Sequence, residues 1–286
     1  MGTAPLTDWI GRTETTIDQV TPTPASALAA MLNRPSERPA AGVTLPALWH
    51  WLYFLPIAQQ AAIGEDGHPS RGGFMPPVPQ PRRMWAGSQF RFDQPLLMGD
   101  QIERRSTIEN VTEKVGRSGT LVFVKVRHDV YRATVPEKPA FVENHDIVYR
   151  DAPDPNAPPP KPAAAPTTHD WARRIDPDPV LLFRYSALTF NGHRIHYDRE
   201  YATGVEGYAG LVVHGPLIAM LLLDALRHEL NDPAIVSYEF RAQRPVFEPG
   251  HFFVCGKREA DGKTVQLWAK DQDGWLTMQA TAVLAS

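Results

Sequence analysis

The residues best able to do chemistry lie close together, in Phe183-Arg184-Tyr185-Ser186-Ala187-Leu188-Thr189-Phe190-Asn191-Gly192-His193-Arg194-Ile195-His196-Tyr197-Asp198, the densest polar cluster of the chain. His196 is its strongest candidate base, because an imidazole changes charge near working pH. Asn191, five residues earlier, cannot take a proton. Its amide can accept one hydrogen bond and donate another, which suits it to hold a water. Arg194 carries a planar fork that can grip a carboxylate at two points. Downstream, His214-Gly215-Pro216 opens an apolar run. Proline fits a first helical turn, and the free amides of such a start can receive partial negative charge.

Taken singly, these residues have plain structural readings. Asn191-Gly192 is a turn signal, and His196 could be a hydrogen-bonded core histidine. His193-x-x-His196 with His214 has the look of a metal site, but Asp198, two residues from His196, is awkwardly placed to share an ion. No metal and no cofactor is expected.

The elements that must position these groups are visible as a repeat. Phe90-Arg91-x-x-x-Pro95-Leu96-x-x-Gly99-Asp100 recurs as Phe240-Arg241-x-x-x-Pro245-Val246-x-x-x-Gly250, with Phe, Arg and Pro at one offset (240 − 90 = 150; 245 − 95 = 150). An apolar segment precedes each copy, Ala47 to Ala62 and His214 to Leu230, and both are expected to be helical. Alternating strand patterns follow each copy: Gln101 to Val111, Thr120 to Arg132 and Phe141 to Tyr149, then His251 to Arg258, Thr264 to Lys270 and Trp275 to Leu284. Asp261-Gly262 and Asp273-Gly274 mark turns between strands. Leu217, Met220, Leu221, Leu222, Ala225 and Leu226 leave the second helix almost no polar face, so it must be buried nearly all round. The expected fold is α+β, a helix wrapped by an antiparallel sheet in each of two halves. A proline-rich run, Ala152 to Pro166, reads as a linker. The expected division is 1–150, a linker at 151–169, and 170–286. A second proline-rich loop, Gly64 to Gln80, lies inside the first half, which has no Asn-x-x-x-x-His ahead of its helix and reads as non-catalytic.

Composition narrows the class. The chain has 286 residues, enough for two modules, and a formal charge of −3, which offers no basic excess for nucleic acid. Its single cysteine, Cys255, lies in the apolar run Phe252-Phe253-Val254-Cys255 and is expected to be a buried strand residue in a reducing compartment. The N-terminus lacks a signal-peptide pattern, and the apolar run Leu211 to Leu226 is broken by His214, Pro216 and Asp224. A cytoplasmic protein with no membrane partner is expected.

The segment Phe190-Asn191-Gly192-His193-Arg194-Ile195-His196-Tyr197-Asp198 resembles the hydratase motif of the MaoC-like, or (R)-specific enoyl-CoA hydratase, superfamily. His196 falls on the family histidine, Asp198 on the following acid, and Asn191 on the position of the family's catalytic aspartate. Gly210 to Leu217 looks like the family turn into its central helix, and Pro245 to Gly250 like its entry into a strand. As it stands, the motif is most similar to the branch containing hydroxyacyl-thioester dehydratases and mesaconyl-C4-CoA hydratases. The resemblance implies a double hot-dog fold and an acyl-CoA substrate. It also implies reversible hydration by Asn191 and His196 and further pairing into a homodimer; Arg194 and His193 stand where the family has proline and asparagine, and with His214 and Gly215 they are the expected substrate contacts. With Asn191 in place of aspartate, the proton work shifts onto His196. Hot-dog folds also host thioesterases, and a substrate-binding module without activity is a third reading.

Overall fold

The computed structural model describes residues 4–35, 37–116, 119–152 and 161–285. Twelve strands and three α-helices appear among them. The first half supplies β1 (Thr13–Gln19), α1 (Pro22–Met31), β2 (Arg82–Phe92), β3 (Gln101–Gly116), β4 (Gly119–Arg132) and β5 (Phe141–Arg150). The second supplies β6 (Trp171–Ile175), α2 (Pro179–Leu188), β7 (Leu211–Val212), α3 (Gly215–Glu229), β8 (Ile235–Ala242), β9 (Phe247–Glu248), β10 (Phe252–Arg258), β11 (Thr264–Asp271) and β12 (Leu276–Leu284). Ten strands form one sheet in the order β1-β3-β4-β5-β2-β8-β12-β11-β10-β6, and β7 pairs separately with β9.

The seam between the halves is the antiparallel pair β2 and β8. Gln89 lies opposite Glu239, and Ser88 opposite Phe240. Since 239 − 89 = 150, the paired Gln89 and Glu239 are the same position of the sequence repeat. A pseudo-two-fold axis therefore passes through the seam, and backbone hydrogen bonds make the two half-sheets continuous. A second tie crosses between halves: Arg34, and Arg173 from β6, both ion-pair with the buried Asp224 of α3.

α3 is the helix expected from His214 to Leu230. Leu217 through Leu226 are all buried, and the helix packs against β10, β11 and β12. Tyr238 of β8 donates its hydroxyl to the Ala219 carbonyl at 2.9 Å, which satisfies a buried polar group on the concave face of the sheet. The expected strands stand within a few residues of their patterns. Cys255 is buried in β10.

The first half departs from expectation. Ala47 to Ala62 is no long helix. A short 3₁₀ turn, Trp49–Leu52, is followed by extended chain and a second turn at Gln60–Ala62. Pro56 lacks an amide donor and disfavours helix at the residue before it. Leu48 and Phe54 take left-handed backbone angles, φ +69° and +55°, and the Phe54 amide bonds the Asp18 carboxylate at 2.7 Å. The helices with no sequence expectation, α1 and α2, each follow the first strand of their half and begin at Pro-x-Pro. Of the expected linker, residues 153–160 lie outside those described. Ala163 and Ala165 run beside the start of β12, bonded to Leu276 and Gly274.

Candidate active site

The catalytic candidates converge at the start of α3. Asp178 caps the start of α2 by accepting from the Leu181 amide at 2.8 Å, and the helix runs to Leu188. The chain then reverses through Phe190, at φ +48°, and the Asn191 amide bonds back to the Ser186 carbonyl. Asn191 Oδ1 accepts from the His193 amide at 3.0 Å, an Asx turn that projects His193 forward. Its Nδ2 group is left to donate outward. A 3₁₀ turn, Arg194–His196, brings His196 beneath β7.

His196 is buried, and its Nδ1 lies 2.7 Å from the Val212 carbonyl. A carbonyl only accepts, so Nδ1 carries the proton and Nε2 keeps a lone pair. Burial pushes the imidazole down to about 4, against the opposing pull of the Val212 carbonyl. It is therefore neutral at pH 7, as a base must be. The His214 ring stacks on it, with centroids 3.6 Å apart and planes 17° from parallel. His214 is wholly buried, and its Nε2 lies 2.9 Å from Ser186 Oγ. Its side chain is thus a platform under His196 that faces no open space. The α3 amides at Gly215 and Leu217 precede the first intrahelical bond, from Ile218 N to the His214 carbonyl. They have no acceptor within the helix.

Arg194 is placed differently from its sequence reading. Its Nε and Nη2 bond Asp198, at 3.0 and 2.8 Å, its Nη1 bonds the Glu65 carbonyl at 3.1 Å, and the guanidinium lies over the Tyr201 ring. The fork that could grip a carboxylate already holds one from its own chain.

Sequence reasoning missed the contribution of the first half. The loop at 64–68 docks on the catalytic segment: Arg194 N donates to the Asp66 carbonyl at 2.9 Å, and Gly67 lies directly against Gly192. A Cβ on Gly67 would stand 1.8 Å from the Gly192 carbonyl oxygen, and its φ of +89° also favours glycine. This contact places Asp66 and His68 beside His193. The His68 and His193 ring centroids are 4.1 Å apart, and His193 meets His196 edge-on at 5.4 Å. Burial, with His68 and His196 nearby, drives His193 down to about 2. Arg83 of β2 adds its field to both His193 and His145, and among the described residues its side chain has no ion-pair or hydrogen-bond partner. The signal for this loop was the short Asp66-Gly67-His68 turn, which nothing in the sequence connects to residue 193.

Beyond Arg83, several polar groups are set among the buried apolar residues of the first half. Glu143 lies 3.3 Å from His50 Nε2 and accepts from Ser88 at 3.0 Å, His128 meets Ser106 at 2.8 Å, and the His145 and Trp85 rings meet at a tilt with centroids 4.0 Å apart. A groove of about 1100 Å³, lined by Phe123, Lys125, Arg241 and Trp268 among others, lies on the opposite face of the sheet. None of the catalytic candidates lines it, so it is not where the chemistry would occur.

A continuous sheet of two fused halves, with a buried neutral histidine at the start of the one long central helix, defines a double hot-dog enzyme that adds or removes water at an acyl thioester. The comparisons agree. The model of the hydroxyacyl-thioester dehydratase type 2 family matches residues 48–248. Mesaconyl-C(4)-CoA hydratase of Chloroflexus aurantiacus is 48% identical over 285 residues, 99% of each chain. A solved MaoC-like dehydratase superposes with a TM-score of 0.70 at 14% identity, covering 97% of this chain and 98% of that one. A Mycobacterium tuberculosis protein described as a double hotdog fold superposes at 0.54 with 15% identity and covers 96% of both. The chain belongs to the hydroxyacyl-thioester dehydratase type 2 family, and is a hydro-lyase. No helix among the described residues is long and apolar enough to cross a membrane.

Proposed function

We propose that this enzyme hydrates mesaconyl-C4-CoA to citramalyl-CoA. The observation that carries the reading is His196, buried at the mouth of α3 with Nδ1 held by a carbonyl and Nε2 free. In this mechanism Nε2 takes a proton from water as its oxygen bonds the β-carbon. The α3 amides at Gly215 and Leu217 receive the negative charge that develops on the thioester oxygen. Asn191 Nδ2 orients the water, and His193 bounds the substrate. The β-carbon of this substrate also bears a free carboxylate. Arg194 is held by Asp198, so the cation left for it is Arg83. The relative from Chloroflexus supports the same substrate. We further propose a homodimer assembled through the outer face of the sheet, checked by sedimentation against the chain mass of 31.9 kDa.

The test is mass spectrometry of products from mesaconyl-C4-CoA and crotonyl-CoA. The expected result is gain of one water by the first substrate, with much slower reaction of the second. Release of free CoA with no hydrated product would replace this reading with a thioesterase.

A further inference from the structure

With asparagine at position 191, the catalytic segment offers one base, yet hydration moves two protons. One leaves water and one arrives on the α-carbon. Two further imidazoles of the second half lie against His196: His214 is wholly buried and bonded to Ser186, and His193 is half-buried and held neutral by burial, so it carries no proton to give. The loop at 64–68 supplies another. His68 is partly exposed, its Nδ1 lies 3.1 Å from Asp66 Oδ2, and its amide donates to Asp66 Oδ1 at 2.9 Å. A carboxylate at Nδ1 fixes the ring and leaves Nε2 as the nitrogen able to exchange a proton with a substrate. Burial works against the charge of Asp66, but the hydrogen bonds from the His68 ring and amide outweigh it and hold the carboxyl well below its usual range. The donor atoms of Asp66, His68 and His193 all lie within 4.8 Å of one another.

We propose that His68, braced by Asp66, is a catalytic acid contributed by the first half of the chain. The proposal rests on the hydratase reading above. His196 Nε2 takes a proton from water while the C–O bond forms at the β-carbon. The π pair moves onto the α-carbon and thioester oxygen, and the Nε2–H bond of protonated His68 breaks to form the α C–H bond. One water is added. His196 then sheds its proton and His68 regains one by exchange with solvent, which reaches the partly exposed ring. The titratable groups around His68 are Asp66 on its own loop, His193 and His196 from the catalytic segment, and Tyr201 beside Asp66, with Arg83 beyond His193.

The test is the pH profile of kcat and KM for mesaconyl-C4-CoA hydration by the full chain, as wild type, His68→Gln and Asp66→Asn, with and without EDTA. His68→Gln is expected to lower kcat by about 10²- to 10³-fold with KM nearly unchanged. Asp66→Asn is expected to move the alkaline limb to lower pH, because the imidazolium loses its counter-charge. A merely structural role would leave that limb in place. If His68→Gln fails to fold by circular dichroism, the Asp66→Asn profile decides alone. A His68→Gln kcat within about threefold of wild type, or an Asp66→Asn profile superimposable on it, overturns the proposal. So does activity abolished by EDTA and restored by zinc, which would make the trio a metal site. A wild type that hydrates no enoyl-CoA overturns the hydratase reading and this proposal together. A normal wild type with a silent His68 overturns this one only.

Discussion

The two halves share one sheet and one repeat, but their concave faces are filled in opposite ways. In the second half α3 occupies the concavity with ten consecutive buried residues, Leu217 to Leu226. In the first half the corresponding chain breaks at Leu48, Phe54 and Pro56, and the space holds Glu143, His50, His128, His145, Ser88 and a tryptophan pair, Trp51 and Trp85. α3 fills its concavity with apolar residues, Asp224 apart, whereas the other side mixes apolar core residues with buried polar ones. The candidate groups lie where the two meet, at the N-terminus of α3 and the loop at 64–68.

The contrast can be broken most sharply at α3. Leu222→Ala removes a wholly buried side chain from a close-packed helix and should cost roughly 2–5 kcal/mol in urea unfolding. A loss under about 1 kcal/mol would mean that α3 is not the core of its half. Next in size, Gly67→Ala drives a methyl into the Gly192 carbonyl. It should displace the loop at 64–68 and lower kcat by about 10²-fold, equivalent to about 2.7 kcal/mol of barrier. The second half should still unfold normally by circular dichroism.

A third test uses pH. Burial holds His128 at about 4 and His145 at about 3, below the ordinary 6.5. The unfolded chain protonates both as pH falls through 6.5, while the folded chain resists. Stability is therefore full above that pH and declines below it, by about 1.4 kcal/mol per unit for each histidine, until the folded values are reached. For Glu143, burial opposes the charge, but the His50 hydrogen bond and nearby His145 outweigh it and hold the carboxyl at about 2. Its contribution is present above 4.5 and is lost as pH falls toward 2. Urea midpoints at pH 7 and 5 should show the drop, and His145→Phe should reduce it. The smallest expected effect is substrate discrimination by Arg194→Met. With its guanidinium on Asp198, the variant should lose similar activity toward mesaconyl-C4-CoA and crotonyl-CoA. A loss confined to the carboxylated substrate would return Arg194 to the pocket.

Much of the second half could be read from sequence because its signals are local. The nearly all-apolar run after Pro216 could only be a buried helix, and alternation marked the strands to within a few residues. The first-half helix misled because its apolar residues, Trp49, Leu52 and Phe54, are core residues of an irregular path, and hydrophobicity alone does not report backbone angle. Arg194 had its answer nearby: Asp198 stands four residues on, the spacing of an ion pair on a helical turn. Asp66 and His68 could not be assigned from sequence, because only the Gly67–Gly192 contact brings them to His193, across more than a hundred residues of chain.

The most direct test of a single site centred on a neutral histidine is the rate of mesaconyl-C4-CoA hydration by His196→Gln, with thermal unfolding measured on the same sample. This account expects kcat to fall by about 10³-fold or more with unfolding little changed. A folded variant that keeps kcat within about tenfold of wild type would contradict it, and would move the base elsewhere in the chain.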